Sequence, residues 1–214
     1  LEEYILKKEN IKEDIVFLWQ NIPTIVVGKN QNTIEEINVP FVNEKKIKVV
    51  RRLSGGGAVY QDLGNLNFTF LKVLGKPSKM AIKEFALPVV EALNKLGVPA
   101  QLTGRNDISV EDKKISGNAQ RLFRNKLLHH GTLLFDTDLE IMAKVLQVGV
   151  DKIQSKGIKS IHSRVTNIKP YFNQEITIEQ FRGSILSELF LGEKVNQYFL
   201  NEEDLAQINQ LVDA

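Results

Sequence analysis

Two hydrophobic periods divide this chain. Apolar runs that are short, or that alternate with polar residues, fall at 15–19, 24–28, 58–60, 66–70, 106–110, 114–122 and 127–135 and predict strands. The basic run KKIKVVRR at 45–52 predicts one more, at a solvated sheet edge. Apolar residues spaced by three and four predict helices at 1–9, where Leu1, Tyr4 and Ile5 share a face, and at 78–96, 138–147, 177–191 and 202–212. Ser78 and Asp138 are suitable N-caps, and Gly97 stands where a C-cap is wanted. A short helix and connector fill 32–42, a second short helix 150–156, and a polar, basic loop 156–167. Turns at 21–23, 62–65, 111–113 and 124–125 separate neighbouring strands, so 106–135 reads as three adjacent antiparallel strands. The expected class is α/β in the α+β sense: mixed, largely antiparallel sheets with helices packed outside.

The stretch around which the rest is arranged is 49–71, VVRRLSGGGAVYQDLGNLNFTFL. Gly55, Gly56 and Gly57 carry no Cβ, so their backbone can take positive φ and bring N–H groups close to an anion, and Arg51 and Arg52 add charge. A glycine triplet by itself is a hairpin turn. What argues for more is that strand formers at 58–60 and 66–70, with a second turn at 62–65, suspend the loop from paired strands. No GK[ST] follows it and no helix starts at Gly57, which excludes a P-loop and a dinucleotide fingerprint. The polar loop GKNQN at 28–32 either turns the chain or meets a ligand.

Composition narrows the setting. At 214 residues and 43% hydrophobic, the chain suffices for one domain spanning 1–214. Its net charge of +2 is spread rather than blocked, and the basic 45–52 run lacks interleaved aromatics, so no nucleic-acid partner is expected. Without cysteine there is no disulfide, thiolate metal site or cysteine nucleophile. No apolar run is long enough to span a bilayer and no signal peptide opens the chain, so no membrane partner is expected and the cytoplasm is the default location. The opening LEEYILKK is already helical in pattern and lacks an initiator Met, so further residues are expected upstream.

A second informative block, 104–138, reads GRNDISVEDKKISGNAQRLFRNKLLHHGTLLFDTD. Lys114, taken alone, is a surface lysine; beside a glycine loop it would place an ammonium and free amides around a cleft suited to a phosphate or an acyl phosphate. His129 and His130 occupy adjacent strand positions and point to opposite faces, one packing and one approaching a ligand. No His, Asp and Glu spacing supports a protein-built metal site.

The blocks RRLSGGGAVYQDLGN, GRNDI, KISGNAQ, HHGTLLFDTDL and KGIKSIHSRVTN, in this order, resemble the lipoate-protein ligase family, related to the biotin protein ligases, from Leu1 to at least Asn167. The resemblance implies a two-step reaction. Lipoate attacks the α-phosphate of ATP to give lipoyl-AMP and pyrophosphate, and a lysine of an acceptor domain then takes the lipoyl group as an amide. ATP with Mg²⁺ on its phosphates is the implied cofactor and lipoate or octanoate the implied substrate. The implied partners are lipoyl-accepting domains of 2-oxoacid dehydrogenase E2 subunits and the glycine cleavage H protein. Residue by residue, it implies that Lys114 is catalytic and touches both the carboxylate and the α-phosphate. Arg52, Gly57, Ala58, Val59, Tyr60, Asn106, Asp107 and Arg164 are then expected at ATP or lipoyl-AMP, and Ser54, Gly55, Gly56, Gly57, Gly117 and His130 at lipoate with Lys114. The loop 159–167 resembles the segment that closes over the adenylate and shields it from water. The lipoyl tail needs an apolar tunnel, for which Leu53, Val59, Phe68 and Phe70 are candidates against a reading as plain core.

Two departures stand out. Gln61 occupies a position where the family usually has histidine. Longer members continue into a small C-terminal domain, so the accessory part is expected either to have been cut away after Ala214 or to be a separate polypeptide. The rival functions are a transferase that uses only preformed lipoyl-AMP, a biotin ligase, and a noncatalytic lipoate-binding relative, against which Lys114 within KISGN speaks. A further rival is an octanoyl or lipoyl transferase that moves the acyl group between carrier proteins without ATP, against which the lack of any cysteine to hold the acyl group argues strongly.

Overall fold

The computed structural model describes residues 1–76, 82–146, 164–193 and 195–213. Among these, the strands are β1 (Ile15–Trp19), β2 (Thr24–Val27), β3 (Lys48–Arg51), β4 (Val59–Gln61), β5 (Asn65–Val73), β6 (Gln101–Thr103), β7 (Asp107–Val110), β8 (Lys113–Phe123) and β9 (Lys126–Leu134). The helices are α1 (Glu2–Lys7), α2 (Thr33–Glu36), α3 (Val39–Glu44), α4 (Ile82–Lys95), α5 (Leu139–Val145), α6 (Ile178–Leu189) and α7 (Glu202–Asp213). One sheet runs β1-β5-β9-β8-β7-β6 with every neighbouring pair antiparallel. The other runs β3-β2-β4, β2 being parallel to β3 and antiparallel to β4. The mixed, largely antiparallel architecture expected from the pattern is therefore the one observed.

Local chemistry explains the elements. Glu111 and Asp112 join β7 to β8 at positive φ, 50° and 62°, as a two-residue turn matched to strand twist requires. Asp138 accepts from the Ile141 N–H at the start of α5, and Thr177 with Gln180 forms a capping box at the start of α6. In β5, Leu66 and Phe68 face a core with Ile108, Ile115, Leu133 and Phe135, closed by Val89 and Leu93 of α4 and Phe181 and Ile185 of α6. Fully burying such a side chain contributes about 1.5–3 kcal/mol. The opposite face of β5 carries Asn65, Asn67 and Thr69, which are just as buried. Over that face lie α1, through Tyr4, Ile5 and Leu6 against Leu71 and Leu128, and the smaller sheet with α3 and α5.

Strand pairing departs from sequence order in two places. Segments 15–19 and 24–27 do not pair with each other: β1 edges the large sheet, while β2, buried at all four positions, is the centre of the small one. Likewise 58–60 and 66–70 are not paired; the 62–65 turn carries the chain from one sheet to the other. The glycine loop thus hangs between β3 and β4, which flank β2 on either side. β6 is an additional strand, paired with β7. The basic strand shrinks to Lys48–Arg51 and is exposed at the sheet edge, as its charge suggested. Leu1 is exposed, and the buried face of α1 is Tyr4, Ile5 and Leu6. Ser78, Gln147, the short helix at 150–156 and the loop up to residue 163 lie outside the described residues. No described helix is long and apolar enough to cross a membrane.

Candidate active site

A row of residues crosses five strands of the large sheet. Trp19 pairs with Asn67 and Asn67 with Thr132; the Gly117 N–H donates to Thr132 Oγ1 at 3.3 Å; Gly117 pairs with Asp107. A cavity of ≈ 210 Å³ lies along this row, roofed by the glycine loop and β4, with Glu2 of α1 at one side and Lys114 with Asn106 at another.

The roof is shaped by two arginines that grip backbone. Arg52 donates to Val26 O at 2.9 Å, to Gly55 O and Gly57 O at 2.8 Å each, and through Nε to Ser54 Oγ at 3.1 Å. Burial draws its guanidinium below the ordinary value, with Glu2 and Glu36 opposing. Arg51 likewise holds Gly28 O at 2.8 Å, Gln31 O at 2.9 Å and Thr33 Oγ1 at 2.7 Å. With its carbonyls turned to Arg52, the loop leaves the N–H groups of Gly55, Gly56 and Gly57 without a partner among the described residues. The Ala58 N–H is taken by Glu36 at 2.9 Å. Gly56 sits at φ +98°, and its carbonyl lies where a Cβ on Gly28 would be, 1.7 Å away. Gly28 of GKNQN is therefore the seat of the loop.

Lys114 faces this roof because β8 bulges. Ser109 pairs with Lys114 and Ile108 with Ser116, so Ile115 is unopposed; it enters the core, and Lys114 and Gly117 come to one face. The ammonium lies 2.8 Å from Asp107 Oδ1 and only 2.9 Å from where a Gly117 Cβ would stand. Lys114 N–H donates to Arg164 O at 2.7 Å, and Lys114 O accepts from the Thr166 N–H at 3.1 Å, so 164–166 runs alongside. Asn106 and Asn118 exchange amide-to-carbonyl bonds of 2.8 and 3.0 Å that fix the turn preceding β7.

Elsewhere in the cavity, His130 Nε2 meets Ser54 Oγ at 2.6 Å and Nδ1 meets Glu2 Oε1 at 2.9 Å. Thr69 donates to the same Glu2 oxygen at 2.6 Å. Burial by itself would raise the Glu2 carboxyl, but the His130 hydrogen bond and charge, with the Thr69 hydroxyl, bring it below its ordinary value. His129 points the other way, as strand alternation required: it is fully buried and stacked on Phe85 at 5.0 Å. Burial, then the charge of His130, push it down to about 3.

Residues 1–190 match the family model of the lipoyl protein ligase A/B catalytic domain. The chain belongs to this family. Among its relatives, lipoate-protein ligase LplJ of Bacillus subtilis is 48% identical over 214 residues, covering 99% of this chain and 65% of that protein. Lipoate–protein ligase 1 of Staphylococcus aureus is 46% identical over 211 residues, covering 99% and 64%. The chain thus spans slightly less than two thirds of either relative. A bi-partite lipoate protein ligase from Thermoplasma acidophilum, described with its E2 lipoyl domain, has the same fold, with a TM-score of 0.85 at 27% identity over 99% of this chain and 85% of that one.

In this lipoyl ligase catalytic domain the cavity gathers Arg52, Gly55, Gly56, Gly57, Ala58, Val59, Asn106, Lys114, Gly117 and His130 from the residues singled out in the sequence. Four others stand back from it. Ser54 is buried behind His130. Tyr60 packs with Ile25 and Met142, its hydroxyl pushed up to about 12 by burial and then by Asp62 and Asp138. Asp107 reaches the cavity through its ion pair with Lys114, and Arg164 through its backbone. Of the tunnel candidates only Val59 lines the cavity; Leu53 packs near α1, and Phe68 and Phe70 belong to the core beneath α4. Glu2, Trp19, Asn67, Asn118 and Thr132 were not anticipated. For Asn67 a signal existed: NLNFTF sets a polar residue at every second position of a strand flanked by core residues.

Proposed function

We propose that the chain is the catalytic part of an ATP-dependent lipoate-protein ligase, which activates lipoate or octanoate as the acyl-AMP and passes the acyl group to a lysine of a lipoyl domain. The observation that carries this is the Lys114 ammonium laid over Gly117 on one wall of a cavity lined by the glycine loop, whose Gly55, Gly56 and Gly57 N–H groups have no partner among the described residues.

A carboxylate and an α-phosphate repel as they approach, and negative charge grows on the phosphoryl oxygens as the new bond forms. A fixed ammonium between them counters both effects, and preorganised N–H donors add to it. Lysine suits the position because its charge is compact and fits the space left by Gly117. Asp107 holds the ammonium in place until the substrate carboxylate and phosphate compete for it. The acyl chain would follow the row from Gly117 over Thr132 toward Asn67 and Trp19. ATP, with Mg²⁺ on its phosphates, would meet Asn106, Lys114 and the Arg164 segment. Acceptors would be the lipoyl domains of 2-oxoacid dehydrogenase E2 subunits and the glycine cleavage H protein, in the cytoplasm; the pairing of the T. acidophilum ligase with an E2 lipoyl domain supports the first.

The test is lipoate-dependent exchange of labelled pyrophosphate into ATP, followed by transfer to a purified lipoyl domain. Exchange that requires lipoate is the expected result. Transfer from added lipoyl-AMP without any exchange would confine the chain to the second step, with activation dependent on a separate accessory polypeptide. Absence of both would remove the proposal.

A further inference from the structure

We propose that Asn67, oriented by Gln61, makes this cavity prefer an acyl chain with divalent sulfur at its far end, lipoate, over a plain one, octanoate. The inference rests on the ligase reading and adds a specificity residue to it.

Asn67 lines the cavity yet is 1% exposed. Its Oδ1 accepts from Gln61 Nε2 at 2.8 Å and from Asn65 Nδ2 at 2.9 Å, and its Nδ2, like the neighbouring Asn65 Oδ1, is buried with no partner among the described residues. A carboxamide can be turned over with little change in shape, so its orientation is assigned from its hydrogen-bond partners. Two N–H donors aim at one atom of Asn67, so that atom is oxygen. Gln61 is assigned consistently with this: Asn21 Nδ2 donates to its Oε1 at 2.8 Å, which leaves its NH₂ for Asn67. The Asn67 NH₂ is consequently held away from these partners. An unpaired buried donor is costly, and a ligand acceptor would remove that cost.

The register says which part of a ligand reaches it. Asn67 pairs with Thr132, whose Oγ1 accepts from Gly117, so Asn67 lies two strands from the floor under Lys114, about 10 Å by strand spacing. That span is comparable with extended lipoate measured from its carboxylate to the far sulfur of its ring. With the carboxylate at Lys114, lipoate brings its dithiolane to Asn67, and divalent sulfur is a weak acceptor for N–H. Octanoate brings only methylene and methyl groups, leaving the donor unpaired, the situation in which a site built to hydrogen-bond discriminates against the analogue without the group.

The experiment is calorimetric binding of lipoate and of octanoate, as free acids without ATP, to the wild-type chain, Asn67→Leu and Gln61→Glu. Asn67→Leu removes the donor. Gln61→Glu puts an acceptor beside Asn67 and draws its NH₂ out of the cavity while the asparagine stays. Both are expected to lower the lipoate-to-octanoate affinity ratio by about three- to tenfold, the range of one net hydrogen bond. Octanoate binding reports that each variant is folded, and if Asn67→Leu binds neither acid, Gln61→Glu decides. A ratio that stays constant in the folded variants while wild type binds both acids overturns this inference alone, assigning the NH₂ to a water that neither acid displaces. Failure of wild type to bind either acid overturns the ligase reading and this inference with it.

Discussion

Lys114 stands where it does because two neighbours give it room: the unopposed Ile115 turns it off the core face, and Gly117 leaves the space its ammonium fills. Lys114→Ala is expected to slow pyrophosphate exchange and transfer from added lipoyl-AMP together, each by roughly 10²–10³-fold, the scale of one preorganised donor. A loss confined to one of the two assays would restrict the residue to that step. Lys114→Arg should not restore either, since the planar guanidinium is broader than the ammonium it replaces. The glycines divide by the same kind of contact. A Cβ on Gly28 would collide with Gly56 O, whereas one on Gly55 meets nothing within 4 Å among the described residues. Gly28→Ala is expected to cost about 1–3 kcal/mol in urea unfolding, typical of forcing atoms into a filled space. Gly55→Ala should stay within about 0.5 kcal/mol. If Gly55→Ala nonetheless weakens binding of lipoate, the loop is approached closely by the ligand.

Among the elements, α7 depends on one carboxylate. Asp204 accepts from Tyr4 Oη and from Lys8 Nζ on and just after α1, from Tyr198 Oη at 2.8 Å and from the Asn201 N–H at 3.1 Å. The bond from Lys8, followed by that from Tyr4, holds its carboxyl well below the usual range. A depressed acid contributes stability that is complete above its unfolded pKa, about 4, and is lost as pH falls toward the folded value. Hydrogen-exchange protection of α7 should therefore fall below pH 4 while β5 and β9 remain protected. Asp204→Asn should show low α7 protection already at pH 7 and no further acid step. Protection of α7 that is unchanged from pH 6 to pH 3 would mean that something other than Asp204 anchors the helix.

For the molecule as a whole, His129 links stability to pH. Its Nδ1 accepts from Gln120 and its Nε2–H donates to Asn118 Oδ1, an assignment from partners that leaves no place for a second ring proton. With a folded pKa of about 3 and an unfolded one near 6.5, the unfolded chain binds a proton the native protein refuses throughout that window. Stability should be complete above pH 6.5 and decline toward pH 3, by up to about 1.4 kcal/mol per pH unit from this group. Urea unfolding at several pH values, compared with His129→Asn, isolates the contribution; equal slopes in the two proteins would mean that His129 titrates normally when folded.

Residue pattern alone made legible the strands of 107–134, because a period of two assigns side chains to faces wherever the strand is regular, and the helix starts at Asp138 and Thr177, because capping is local. It also marked the glycine loop and Lys114, since residue type and order suffice for that. Tertiary structure decided the rest. Which sheet takes 15–19 and which takes 24–27, that Arg52 grips the Gly55 and Gly57 carbonyls, and that a bulge places Lys114 above Gly117 all depend on partners distant along the chain. The buried NH₂ of Asn67 is the clearest instance. Its assigned direction follows from Gln61 and Asn65 both donating to one oxygen, and the Gln61 bond exists only once the two sheets have closed on each other.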